Sequence, residues 1–328
     1  MIITRTPFRI SFCGGGSDLK SFYENQEGCV LSTTINKYMY ISIHPYFESN
    51  NIALKYSQTE IVDSVDKIQH KIFKEVLKQF GVAGVEITST ADVPSGTGLG
   101  SSSAFTVGVL NALNAYTGKY VSKGDIAENA CDIEINRLGA PIGKQDQYAA
   151  AFGGLNFIRF LPNGETVVEP VLVKQETMQK LERRLMMFYT GQLHDANAIL
   201  AEQNSNMKKV DKTQSLIKMC GLARELKVAL EQQNLDAFGR LLHENWILKR
   251  ELASGISNPL IDQAYDTAIA HGAKGGKLLG AGGGGFLLFY CEEDKQQAVR
   301  DALGLREFAF RFEHGGTSVV YVGDKYWD

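Results

Sequence analysis

The segment Pro94-Ser-Gly-Thr-Gly-Leu-Gly-Ser-Ser-Ser103 has the composition of an anion cradle. Glycines at alternate positions (Gly96, Gly98 and Gly100) let main-chain N–H groups turn to one side of a loop. The serines that follow, Ser101, Ser102 and Ser103, stand where a helix begins, and free N–H donors there favour phosphate. Their hydroxyls could cap the helix or contact a phosphate-bound magnesium ion. Two better-known phosphate loops do not account for the chain. The Walker A pattern is approached by Gly139-Ala-Pro-Ile-Gly-Lys-Gln145, which is one residue short and ends on Gln145 where Ser or Thr is required. The Rossmann pattern is matched by Gly280, Gly282 and Gly285, but residues 286–291 read as a strand where that fold needs a helix.

Glycine makes up 33 of the 328 residues, and its distribution is uneven. Residues 14–16 and 272–285 hold two further clusters, each followed by a distinct structured segment. Around them, residues 2–12 and 37–47 alternate in the manner of strands, and 66–80 has helical spacing up to Gly81. Residues 85–91 read as a strand leading into the serine-glycine loop. Residues 101–117 and 123–137 then read as helices, and 153–160 and 184–190 as strands. From 194 to 271 the pattern is that of three or four amphipathic helices. Strands return at 276–279, 286–291, 307–312 and 317–322, with a helix at 294–303. Mixed elements without strict alternation predict an α+β fold. Two domains are expected, 1–180 and 181–328.

A net charge of −3, with both signs spread along the chain, speaks against an electrostatic nucleic-acid binder. No apolar run approaches the ~20 residues that span a bilayer, and Arg5 and Arg9 interrupt the N-terminal stretch where a secretory signal would lie. The five cysteines are scattered singly, as in a reduced protein of the cytoplasm, where this chain is expected to act.

Pro94 to Ala104 resembles the second motif of the GHMP kinases, the superfamily of galactokinase, homoserine kinase, mevalonate kinase and phosphomevalonate kinase, at every fixed position. Pro7-Phe-Arg-Ile-Ser-Phe-Cys-Gly-Gly-Gly-Ser-Asp18 is similar to the first motif and Leu279-Gly-Ala-Gly-Gly-Gly-Gly-Phe286 to the third. The ordered triple spans nearly the whole chain. Within the superfamily the chain looks most like the heptose 7-phosphate kinases, through residues 14–18, Gly143-Lys-Gln-Asp-Gln147 and His243-Glu-Asn-Trp-Ile-Leu-Lys-Arg-Glu251.

The resemblance implies a two-domain GHMP kinase fold with the active site in the interdomain cleft, ATP and Mg²⁺ as cofactors, and a sugar-phosphate substrate. It implies Asp146 as general base or orienting group, with Arg9 beside it. Pro94, Gly96, Gly98, Leu99, Gly100 and Ser101–Ser103 would hold the nucleotide, and Ser102 with Glu134 the magnesium. Asp132 and Glu128 are rivals of Glu134 on the same helix. Asp18 would fix a sugar hydroxyl. Galactokinases carry Glu-His where Gly15 and Gly16 stand, so these glycines imply a larger or phosphorylated sugar. Gly282, Gly283 and Gly284 would close over the substrate, and Lys144, Arg137 or Lys20 could meet a second phosphate. Trp246 reads as core. A fucose- or galactose-type kinase, or a non-catalytic sugar-binding relative, remains the alternative, as monomer or homodimer.

Overall fold

The computed structural model describes residues 1–48, 50–192, 196–207 and 209–323; the expected start of the helical region at His194 lies outside them. The apolar alternation of the N-terminal residues forms the strand Ile2–Cys13, paired antiparallel with the long strand Gly28–Pro45. These two are the middle of a nine-stranded sheet that continues through Val85–Ala91 to Ile52–Lys55 and Thr59–Val62. The hairpin Asn156–Phe160 and Thr166–Pro170 joins the first half of Gly28–Pro45. Helix Ser101–Tyr116 lies across the first two strands and is buried on nearly every side, which explains its run of small and apolar residues. Thr4 Oγ1 donates to the Gly108 carbonyl at 3.0 Å where helix and strand touch.

A second, four-stranded antiparallel sheet runs in the order Arg306–Glu307, Leu185–Tyr189, Phe286–Cys291, Ala273–Leu278. The segment after Gly285 is thus a strand, as its composition predicts. Helices Ala196–Asn206, Val210–Glu231, Asp236–Arg250 and Pro259–Ala270 fill the stretch between these strands. Helix Asp236–Arg250 joins the two halves. Its Phe238 stands edge-on to Phe12 of the first strand (centroids 5.1 Å apart) and 5.3 Å from Tyr290 of the second sheet. Trp246 is fully buried there, against Tyr265.

Three expectations are corrected. The 66–80 helix begins at Lys71, after a 3₁₀ turn Val65–Lys67, with the His70 ring accepting from the Phe73 amide. The 123–137 helix is α-helical only over Lys123–Cys131 and widens into a π-helical turn at Asp132–Arg137. The expected 307–312 strand is two short pieces on different sheets, because the chain leaves the second sheet there. Phe312–Glu313 and Ser318–Val322 return to the first sheet, the latter beside Ile2–Arg5. Residues 312–313 and 318–322 thus pair with strands of the first sheet.

Candidate active site

Between the two sheets lies a cavity of about 380 Å³. At one end is the start of helix Ser101–Tyr116. Gly96, Gly98 and Gly100 all have φ near +80° (76°, 84° and 75°), and no side chain caps the helix. The first intrahelical bond shown here runs from the Ala104 amide to the Gly100 carbonyl at 2.9 Å, so the amides of Ser101–Ser103 lie in the turn that leaves donors free for an anion. All three serines line the cavity. Gly98 has a second constraint, since a Cβ there would sit 2.3 Å from the Leu279 carbonyl oxygen. Pro94 and Leu99 do not line the cavity: the Pro94 carbonyl accepts from Thr97 Oγ1, and Leu99 is buried with its carbonyl bonded to the Arg9 amide.

In the middle of the cavity Arg9 grips Asp146 with two parallel bonds, Nε to Oδ1 at 2.7 Å and Nη2 to Oδ2 at 2.8 Å. Its remaining Nη1 donates to the Gly98 carbonyl at 2.5 Å. One planar guanidinium thus locks the carboxylate to the phosphate loop, a geometry that lysine cannot supply. Asp146 stands in the first turn of helix Gln145–Phe152.

Beside the serines is Glu134, only 2% exposed. Its oxygens accept from Ser102 Oγ at 2.9 Å and Gln147 Nε2 at 2.7 Å. Burial pushes its pKa up, against these hydrogen bonds, and no Lys, Arg or His lies within 4 Å of it among the described residues. The three acids of this segment face different ways. Glu134 faces the cavity, Asp132 turns outward to Arg137 and Asn136, and Glu128 pairs with Lys144 and Tyr148 in a separate groove. A buried carboxylate and a hydroxyl fit a hard cation. No group of three or more His, Cys, Asp or Glu side chains able to hold a metal occurs among the described residues. A magnesium ion here would take its other ligands from phosphates and water.

At the far end is Asp18, 2% exposed. Three N–H donors hold it: Gly16 N at 2.9 Å, Gln145 Nε2 at 3.0 Å and Gln145 N at 3.2 Å. Burial, and then the charge of Asp146, raise its pKa. Gly15 and Gly16 form the adjoining wall.

Residues 67–154 match the family model for the GHMP kinases N terminal domain, and residues 226–309 match that for GHMP kinases C terminal. The chain is 30% identical to the D-glycero-alpha-D-manno-heptose 7-phosphate kinase of Campylobacter jejuni, over 95% of this chain and 97% of that one. The chain is a GHMP kinase. A D-glycero-D-manno-heptose 1-phosphate kinase from Bacteriodes thetaiotaomicron has the same fold (TM-score 0.81, 25% identical, 99% of this chain and 100% of that one). The L-fucokinase/L-fucose-1-P guanylyltransferase of Bacteroides fragilis is 32% identical over 71% of this chain, which spans 25% of that protein. This GHMP kinase is an ATP-dependent phosphotransferase acting on a sugar hydroxyl. No helix among its described residues is long and apolar enough to cross a membrane.

Two groups of residues expected at the site lie outside this cavity. Gly282, Gly283 and Gly284 do not line the cavity; they are buried behind it, with the Gly283 amide bonded to the Ile256 carbonyl at 2.9 Å. Gly280 and Ala281 of the same motif face the cavity instead. Lys144, Arg137 and Lys20 are spent elsewhere, on Glu128, Asp132 and Glu24, and none of them lines the cavity.

The cations that do line it, besides Arg9, are Lys249 and Lys277, for which the sequence reading assigned no role. Both are buried (6% and 4% exposed). Lys249 Nζ donates to Gln203 Oε1 at 2.9 Å, and Lys277 Nζ to the carbonyls of Ser11 and Phe12 at 2.7 and 3.2 Å. Burial lowers the Lys249 ammonium to about 8 and the Lys277 ammonium to about 7. Lys249 lies inside the 243–251 segment that carries the heptose-kinase resemblance, and that was the signal available.

Proposed function

We propose that this GHMP kinase phosphorylates D-glycero-D-manno-heptose 7-phosphate at its anomeric hydroxyl, giving the 1,7-bisphosphate used to make nucleotide-activated heptose for surface glycans. The observation that carries the reading is the acceptor end of the cavity. There Asp18 is fixed by three donors beside Gly15 and Gly16, which project no side chain. At Gly15, where a Cβ would meet nothing closer than 3.7 Å, such a wall leaves room for a sugar larger than a free hexose, and similarity to a heptose 7-phosphate kinase over 95% of the chain supports the same substrate.

In this reading the amides of Ser101–Ser103 receive the ATP phosphates. Asp18 accepts a hydrogen bond from a ring hydroxyl and turns the anomeric oxygen toward the γ-phosphorus. Asp146, held by Arg9, accepts the anomeric proton as the new O–P bond forms and the bond to ADP breaks. Ser102 and Glu134 would hold a magnesium ion, which would supply charge neutralisation at phosphate oxygens. The test is a screen of sugars and sugar phosphates with ATP, with the product located by ³¹P NMR. Heptose 7-phosphate should give a new anomeric phosphate. Equal or better use of galactose, fucose or the unphosphorylated heptose sinks the substrate assignment.

A further inference from the structure

Arg9 and Asp146 cancel each other inside the cavity, and Glu134 lies at the nucleotide end. The acceptor end is left with two ammonium groups and one carboxylate. Asp18 is the nearest acid in electrostatic effect on Lys249, yet its oxygens are engaged by Gly16 and Gln145, and no carboxylate lies within 4 Å of either ammonium among the described residues. A buried lysine normally has a partner, because stranding a charge away from water is costly. Next to Lys249 is a second unsatisfied donor. Gln203 is fully buried and uses its Oε1 on Lys249, while its Nε2 bonds to nothing.

Both groups converge on Gly16. A Cβ at Gly16 would lie 2.3 Å from Gln203 Nε2 and 3.4 Å from Lys249 Nζ. A glycine with φ +107°, an unpaired ammonium and an orphaned amide therefore meet in one corner of the site. Contacts step from Asp146 through its neighbour Gln145 to Asp18, then Gly16, then this corner, and Arg9 is near enough to weaken the hold of Lys249 on its proton.

We propose that Lys249, which lines the cavity and is backed by the buried Gln203, binds a phosphate ester already carried by the acceptor sugar, and so sets the preference for a phosphorylated substrate. The proposal rests on the sugar-phosphate reading above. An arriving phosphate would supply the missing anionic partner of the ammonium. The lowered proton affinity of Lys249 is what burial without an anion produces, and bound phosphate should restore it.

The experiment compares kcat/KM for heptose 7-phosphate and for the unphosphorylated heptose in wild type, Lys249→Met and Gln203→Glu. Gln203→Glu keeps the shape and gives the ammonium a carboxylate of its own, which covers the case in which Lys249→Met folds poorly. The readout is the ratio between the two sugars, because a general loss of structure lowers both together. Wild type should prefer the phosphorylated sugar by at least tenfold, and each variant should bring that ratio to about threefold or less, mainly through KM. Preference in wild type that both variants keep, or equal loss on both sugars, overturns this role of Lys249 and leaves the substrate reading standing. No preference in wild type overturns both.

Discussion

At the scale of single residues, Asp146 combines two bonds to Arg9 with a place beside the phosphate loop. Asp146→Asn keeps its size and removes the proton acceptor, so kcat should fall by ~10²–10⁴-fold. ATP affinity, read by titration calorimetry, should stay within a few fold. Retention of more than about a tenth of the wild-type kcat, a loss below that range, removes Asp146 as base. Ser102→Ala and Glu134→Gln should each raise the Mg²⁺ concentration needed for half-maximal rate, because each deletes one oxygen ligand. If neither shifts the magnesium titration, these two residues are not the metal's ligands. The sequence pointed to these residues through the resemblance of its motifs to those of the GHMP kinases. It was silent on Lys249 and Lys277. Lys249 stands on a helix that also carries the exposed Arg240, and Lys277 on a strand with the exposed Lys274, and only the packing of Gly16, Gln203 and the first strand around them takes their ammonium groups out of water. For the same reason Lys144 looked available, until its pairing with Glu128 in another groove was seen.

Among the elements, the long periodic ones were legible, and the ones that aim side chains were not. Helix Ser101–Tyr116 follows from its glycine-serine start and small residues. The π turn at Asp132–Arg137 has no sequence signature, yet it carries Glu134, which meets Ser102 at the cavity. Such turns recur at functional sites. The third glycine motif packs against the phosphate loop. Gly98, Gly280 and Gly285 meet residues 97–98 and 279–280 backbone to backbone. Gly98→Ala should therefore act twice, through a strained φ and through a Cβ 2.3 Å from the Leu279 oxygen. A stability loss of about 1–3 kcal/mol by urea unfolding is expected, with a raised KM for ATP. Unchanged stability and KM would mean the two loops do not pack this way in solution.

For the molecule as a whole, the site exists because two sheets are tied together at both ends of the chain. Helix Asp236–Arg250 reaches from the second sheet to Phe12, and Ser318–Val322 returns to pair with the first strand. The strand was read at 317–322, but its pairing with the first strand was not, because a crossing between sheets carries no periodicity. Closing the cavity in this way buries Lys249 and Lys277, whose ordinary value of 10.5 falls to about 8 and about 7. Unfolded chains keep these protons to higher pH than the folded protein does. In the window between the folded and unfolded values the unfolded state binds more protons, so these groups make stability rise with pH. Cys13 acts with the opposite sign: burial pushes its thiol from 9.0 up to about 12, which erodes stability above about pH 9. The lysines are therefore best read between about pH 7 and 9. Differencing against a double variant, Lys249→Met with Lys277→Met, cancels the groups that both proteins share. Over that range the Tm of the wild type should climb relative to the Tm of the variant, in the absence of any phosphate-bearing ligand. A difference that stays flat with pH would show that the two ammonium groups are not held out of water.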